Sequence, residues 1–243
     1  SARYVTANKE METLISLFKS ASIYAFPSLT KDFEDIQQLE AIGTISDLMP
    51  MVDENRIIVR KGLSLMSKKP LPCLSYLLAK QNLIGKPISA VNVSFKISPV
   101  LNAAGRMGEP ETALELLLTD EPGKIEDLTD RLLSLNAARQ QNEEDTMKMV
   151  SSKAEDSYID NDGKIVIIDD PSVPRGLTGS IASRISNDKR IPVIVLATMD
   201  GKVSGSMRCH DPWSARDFLS SFSHLLEDYG GHRFAAGFRL DEE

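Results

Sequence analysis

Residues 124–158 carry a helical stripe longer than any other in the chain. Ile125, Leu128, Leu132 and Leu135 recur at intervals of three and four, and Met147, Val150 and Ala154 take the stripe up again. Between them lies the polar run 139–145. Apolar residues at this period specify an amphipathic helix. The polar middle leaves that helix little to bury there, so the pattern predicts one long, partly exposed connector. The chain then divides into a mainly helical part at 1–123, a linker helix at 124–158 and a small α/β part at 159–243. The length of 243 residues agrees with one large or two small domains, at ~100–200 residues each.

The texture differs on the two sides of the connector. Before it, helical spacing appears at 8–20 (Met11, Leu14, Ile15, Phe18), 32–42 (Phe33, Ile36, Leu39, Ile42), 56–66, 74–80 and 111–118. After Asn161-Asp162-Gly163, a turn signal, KIVII at 164–168 predicts a buried strand. A helix is expected over 177–187, strands over 192–197 and 202–208 around an Asp200-Gly201 hairpin, a helix over 215–229, and a last strand over 234–240. In the 215–229 helix, Phe218, Leu219, Phe222, Leu225 and Leu226 would face inward, and Gly230-Gly231 would end it. The fold class is therefore α/β with a mixed sheet in the second part.

Composition removes several function classes. Cys73 and Cys209 make neither a disulfide framework nor a four-thiolate zinc site, and they read as reduced thiols of a cytoplasmic protein. The longest apolar runs fall far short of the ~20 residues that span a bilayer. No export leader opens the chain, and no membrane partner is expected. The three His fall at 210, 224 and 232, so a His-rich metal site has only that corner to draw on. The net charge is −7, yet it is local: 121–158 carries an excess of four acidic groups, the last three residues add three, and the flanking regions are neutral. An Arg in a neutral region still attracts phosphate, because net charge speaks to solubility and steering and not to a site.

Five short segments could carry chemistry. AIGTISDLMP at 41–50 either aims Asp47 into a cleft as an oxygen ligand for Mn²⁺ or Mg²⁺, or leaves it solvated at a helix end. SPVLNAAGRMG at 98–108 is either a tight packed loop or a turn that passes close to a ligand, with Asn102 and Arg106 as donors. GLTGSIASR at 176–184 opens a helix, where free N–H groups bind anions unless Thr178 or Ser180 caps them. VSGSMR at 203–208 ends a strand on Arg208, beside a phosphate or simply exposed. YGGHRFAAGF at 229–238 places Gly230, Gly231 and His232 in a compact loop open to a ligand backbone. No phosphate-binding loop ending in Gly-Lys-Ser/Thr occurs, which excludes that mode of nucleotide hydrolysis.

Taken in order, AIGTISDLMPMVDENRIIVRKGL, SPVLNAAGRM, GLTGSIASRI, GSMR and GGHRFAAGF resemble the DHH/DHHA1 phosphoesterase superfamily, and within it the RecJ-type single-stranded-DNA exonucleases. Asn-Ala-Ala-Gly-Arg together with Gly-Gly-His-x-x-Ala-Ala-Gly favours that branch over the cyclic-dinucleotide phosphodiesterases. The resemblance runs from about residue 36 to the end.

The resemblance implies a DHH domain, ending here before the linker helix, that holds two Mn²⁺ or Mg²⁺ ions on Asp and His side chains. Two such ions activate a water and stabilise charge on the scissile phosphate. Asp47 matches the last metal-binding aspartate, and Asn102 and Arg106 match the loop at the scissile phosphate. Arg208, Gly230, Gly231 and His232 match substrate-phosphate positions of the DHHA1 domain at 159–243. The Asp-x-Asp and Asp-His-His motifs of the family are not in this sequence. The expectation is therefore a piece of an exonuclease that digests single-stranded DNA from the 5′ end to mononucleotides. This piece would lack the N-terminal part of its DHH domain and be inactive alone. Two other readings remain: a phosphoesterase for short oligonucleotides or nucleoside bisphosphates, and a non-catalytic nucleotide-phosphate-binding module.

Overall fold

The computed structural model describes residues 30–241, Leu48 and Asp200 excepted. The helix expected over 8–20 lies outside the described residues. Two compact units divide the chain between Ala138 and Arg139.

The first unit is helical. Helices α1 (Thr30–Ser46), α2 (Asp53–Lys68) and α3 (Pro72–Lys80) are followed by one turn at Ala90–Asn92 and a π-helical turn at Val93–Ile97. Then come α4 (Ser98–Arg106), α5 (Pro110–Leu118) and the long α6 (Pro122–Asp160). Its core joins Ile42, Ile45, Met66, Leu74, Leu77, Ile97, Val100 and Leu116 with Ile125, Leu132 and Leu135 of α6. The crossing of α1 on α2 is very close: a Cβ at Gly62 would stand 2.4 Å from both the Ala41 Cβ and the Gln37 carbonyl oxygen. Buried Gln38 ties α1 to the link between α2 and α3, accepting from the Leu71 N–H (3.1 Å) and donating to the Lys69 carbonyl (3.0 Å).

One expectation changes here. The small-residue segment 98–106 is a helix, not a loop. Pro99 sits in the first turn, where its missing N–H costs nothing. Ala103 and Ala104 are strong helix formers and lie fully buried. Together they outweigh the ~1 kcal/mol that Gly105 costs a helix.

The second unit is a mixed five-stranded sheet in the order β1-β2-β3-β5-β4. Strands β1 (Val166–Asp169) and β2 (Val193–Met199) are parallel, joined through α7 (Thr178–Lys189). Strands β3 (Lys202–Arg208), β5 (Ala235–Asp241) and β4 (Asp228–Gly231) continue antiparallel. One core packs Leu177, Ile181 and Ile185 of the α7 region, with Val150 and Ala154 of α6, against Val166, Ile168, Val193 and Val195. The opposite face packs Ala215 and Leu219 of α8 (Ala215–Ser221) against Ile194, Met207, Ala236 and Phe238. This parity follows from the two-residue repeat of a strand.

The sheet corrects two further expectations. β1 is shorter than 164–168 suggested, and it alternates; Ile167 is exposed because β1 is an edge strand. The helix expected over 215–229 stops at Ser221. A 3-10 turn follows at Ser223–Leu225, and Gly230-Gly231 lie in β4 instead of ending a helix. Phe222 and Leu225 keep the helical spacing but are exposed. Serines at 220, 221 and 223 bond readily to nearby backbone groups and favour helix ends over interiors.

Asp170 is buried just beyond β1. It bonds Lys153 Nζ of α6 at 2.7 Å and accepts from the Ser172 hydroxyl and N–H. These contacts, Lys153 first, hold its pKa down at about 2.

Two outcomes follow. Gly62→Ala should gain about 1 kcal/mol of helix propensity but lose about 2–4 kcal/mol to overlap with the α1 backbone, a net destabilisation readable by urea unfolding. The stability linked to ionised Asp170 is complete above its ordinary value near 3.8 and is lost as pH falls through about 2. Asp170→Asn should therefore flatten the acid limb of the stability profile between about pH 4 and 2, measured as urea midpoint against pH.

Candidate nucleic-acid interface

In the first unit, Asp47 is exposed on the turn that follows α1. Its neighbour Ser46 donates to the Ile42 carbonyl (2.7 Å) and shares a 2.6 Å hydrogen bond with the Ser98 hydroxyl. The end of α1 is thereby pinned to the start of α4. Ser98, Asn102 and Arg106 are spaced four apart and share one helix face. Asn102 and Arg106 thus stand ~6 and ~12 Å along the axis from the buried Ser98, both exposed. The Ser46–Ser98 bond joins the turn that carries Asp47 to the helix that carries Asn102 and Arg106. The donors come from a helix face, and not from the turn that the glycines suggested.

In the second unit, register places the remaining residues. Arg208 ends β3 opposite Ala235 of β5. The His232 N–H donates to the Ala235 carbonyl at 2.7 Å. Arg208 and His232 therefore lie at the same end of the sheet, about 10 Å apart across one intervening strand. The Arg208 guanidinium is half-buried and fixed. Nε donates to the Ser183 hydroxyl (3.1 Å), Nη1 to the Met207 (2.9 Å) and Ala236 (3.4 Å) carbonyls, and Nη2 lies over Gly179. His232 is exposed. Gly230 pairs with Gly237 and Gly231 with Ala236. Gly231 has φ 143°, and a Cβ there would stand 2.5 Å from the Ala236 Cα. Only glycine admits both that backbone angle and that approach. A Cβ at Gly230 would meet nothing within 4 Å.

The sequence reading offers Thr178 and Ser180 as caps and passes over Arg175, Asp228 and Arg239. Thr178 does not cap α7; its hydroxyl donates to the Arg175 carbonyl (3.1 Å) and shares a 2.9 Å bond with Ser206. Ser180 likewise donates to the Leu177 carbonyl. A polar cavity of about 470 Å³ opens beside them, lined by Arg175, Thr178, Ser204, Ser206, Asp228 and Arg239 among others. Strand parity could have found part of it, since Ser204 and Ser206 share a face of β3 with Arg208. Cys209 is buried, and burial pushes its thiol up, which disfavours the thiolate form.

The metal reading can be tested on donors. Among the described residues, no three His, Cys, Asp or Glu side chains gather where an ion could be held. Exposed Asp47 alone does not fit a two-ion centre. No described helix is long and apolar enough to cross a membrane.

Residues 162–243 match the DHHA1 domain family. The chain is 39% identical over 204 residues to the single-stranded-DNA-specific exonuclease RecJ of Thermus thermophilus, covering 84% of this chain and 29% of that protein. It is 31% identical over 228 residues to the Escherichia coli protein of the same name, covering 90% and 39%. The crystal structure of Thermus thermophilus RecJ with Mn²⁺ superposes with a TM-score of 0.75 at 38% identity, covering 86% of this chain and 30% of that one. A structure of the same protein with Mg²⁺ gives 0.73. The chain spans about a third of the length of these relatives.

Gly231→Ala should destabilise the β4–β5 hairpin by about 1–3 kcal/mol, while Gly230→Ala should cost under about 1 kcal/mol; thermal unfolding of the two variants side by side is the check. Residues 162–243 thus carry the DHHA1 match, and over most of its length this chain is similar to part of the RecJ proteins.

Proposed function

We propose that this chain is the strand-holding part of a metal-dependent exonuclease that degrades single-stranded DNA from the 5′ end to mononucleotides. The observation that carries the reading is the Arg208 guanidinium. It is held by Ser183 and two carbonyls at the end of β3, with His232 across one strand. A guanidinium already held in place adds its charge to a phosphate site without first ordering its own side chain.

In this reading Arg208, His232 and the backbone at Gly230 and Gly231 hold a phosphate of the strand. Asn102 and Arg106 contact the scissile phosphate, and Asp47 contributes one ligand to Mn²⁺ or Mg²⁺. The bound ions would supply the activated water. The other ligands come from the N-terminal part of a DHH domain outside this sequence, so the 243-residue chain grips a strand without cutting it.

Binding of a labelled oligodeoxythymidylate, followed by anisotropy across a salt series, tests the grip. Arg208→Ala should weaken binding about 10- to 100-fold and lower the salt slope by about 0.7. With Mn²⁺ added, the chain should release no mononucleotides. Unchanged affinity in both Arg208→Ala and His232→Ala would overturn the phosphate assignment, and sustained mononucleotide release would overturn the division of labour.

A further inference from the structure

We propose that Trp213 and Phe234 form a stacking platform for the bases of the strand whose phosphates Arg208 and His232 hold. This deepens the strand-holding reading and depends on it. Both rings are large, apolar and open to solvent, Trp213 at 45% and Phe234 at 42% exposure. They stand on two loops at the Arg208 end of the sheet, and hydrogen bonds lock those loops together. The Ala215 N–H donates to the Arg233 carbonyl (2.6 Å), the Cys209 N–H to the Phe234 carbonyl (3.1 Å), and the Trp213 N–H to the His210 carbonyl (2.9 Å). The Cys209 thiol adds a 3.4 Å bond to the Arg233 carbonyl.

A cation completes the arrangement. The Arg233 guanidinium lies over one face of the Phe234 ring, 5.2 Å from its centroid, and pairs with the exposed Asp211 carboxylate at 2.5 Å, so a base meets the other face of Phe234 or the guanidinium plane itself. Exposed aromatic faces interleaved with fixed cations are the chemistry that receives unpaired bases: rings take the π-faces while cations track the backbone. A phosphate grip alone is offered the same group by single and double strands. Bases in a duplex are already stacked on one another, so a protein ring can compete only for those of a single strand. The platform therefore supplies the preference for single-stranded DNA that Arg208 and His232 lack. It tolerates any sequence, because every base has a face.

Trp213 is the chain's only tryptophan, so its fluorescence reports the platform without any substitution. The probes are an oligodeoxythymidylate and an abasic strand of equal length and charge. The thymidylate should quench Trp213 and bind about tenfold more tightly than the abasic strand, in line with the ~1–3 kcal/mol of one stacked base. Trp213→Ala and Phe234→Ala should each lose about threefold on thymidylate, together about that factor, and almost nothing on the abasic strand, while Trp213→Phe keeps most of it. Arg208→Ala should weaken both strands alike. Equal affinity for both strands with Trp213 unquenched, and with Arg208→Ala still impaired, would overturn the platform and leave the phosphate reading standing. Failure to bind either strand would overturn both.

Discussion

Ile125, Leu132 and Leu135 lie in one core and Val150 and Ala154 in another, on the single unbroken backbone of α6. Each unit completes its interior with a stretch of that helix. The first unit would lose three buried apolar side chains without α6, and the second would expose Val166, Ile168 and the inner face of α7. Lys153 adds a polar tie, holding Asp170 ionised at the end of β1. In the polar run 139–145 between the two stripes, Arg139 donates to Glu143 at 2.8 Å and Gln141 to Asp145 at 3.1 Å, each one turn apart.

Within the second unit, the placement of Arg208 and His232 follows from register. Because Arg208 pairs with Ala235, and His232 bonds back to the same residue, a chemically useful pair is fixed by main-chain hydrogen bonds. A slip of one residue would turn Ser204, Ser206 and Arg208 to the α8 face. Apolar residues guard against it. Met207 on β3, Cys209 just beyond it, and Ala236 and Phe238 on β5 share a core that such a slip would expose to the wrong side.

Much of this was legible in the sequence. The α6 stripe, β2 with its apolar run and β3 with its hairpin turn all announced themselves through period. β4 did not: Asp-Tyr-Gly-Gly has no β-branched residue, and its pairing with β5 is a tertiary fact. Phe222 and Leu225, at helical intervals, pointed the other way. α4 was hidden for the opposite reason, since Pro99, Gly105 and Gly108 read as loop punctuation while Ala103 and Ala104 decided the outcome. Read as a helix, 98–106 would have shown Asn102 and Arg106 on one face. The Arg208 and His232 pairing across β5 needed the sheet order, which neither local spacing nor composition encodes.

The acidic excess of α6 bears on any polyanion that approaches. Residues 121–158 carry four more acidic than basic groups, most of them on the solvated side of the helix. Under the proposed strand-holding role, that charge repels the phosphates of an approaching strand, and salt weakens this repulsion together with any cation–phosphate attraction. The dependence of affinity on salt would then be shallower than a count of cation–phosphate contacts alone gives.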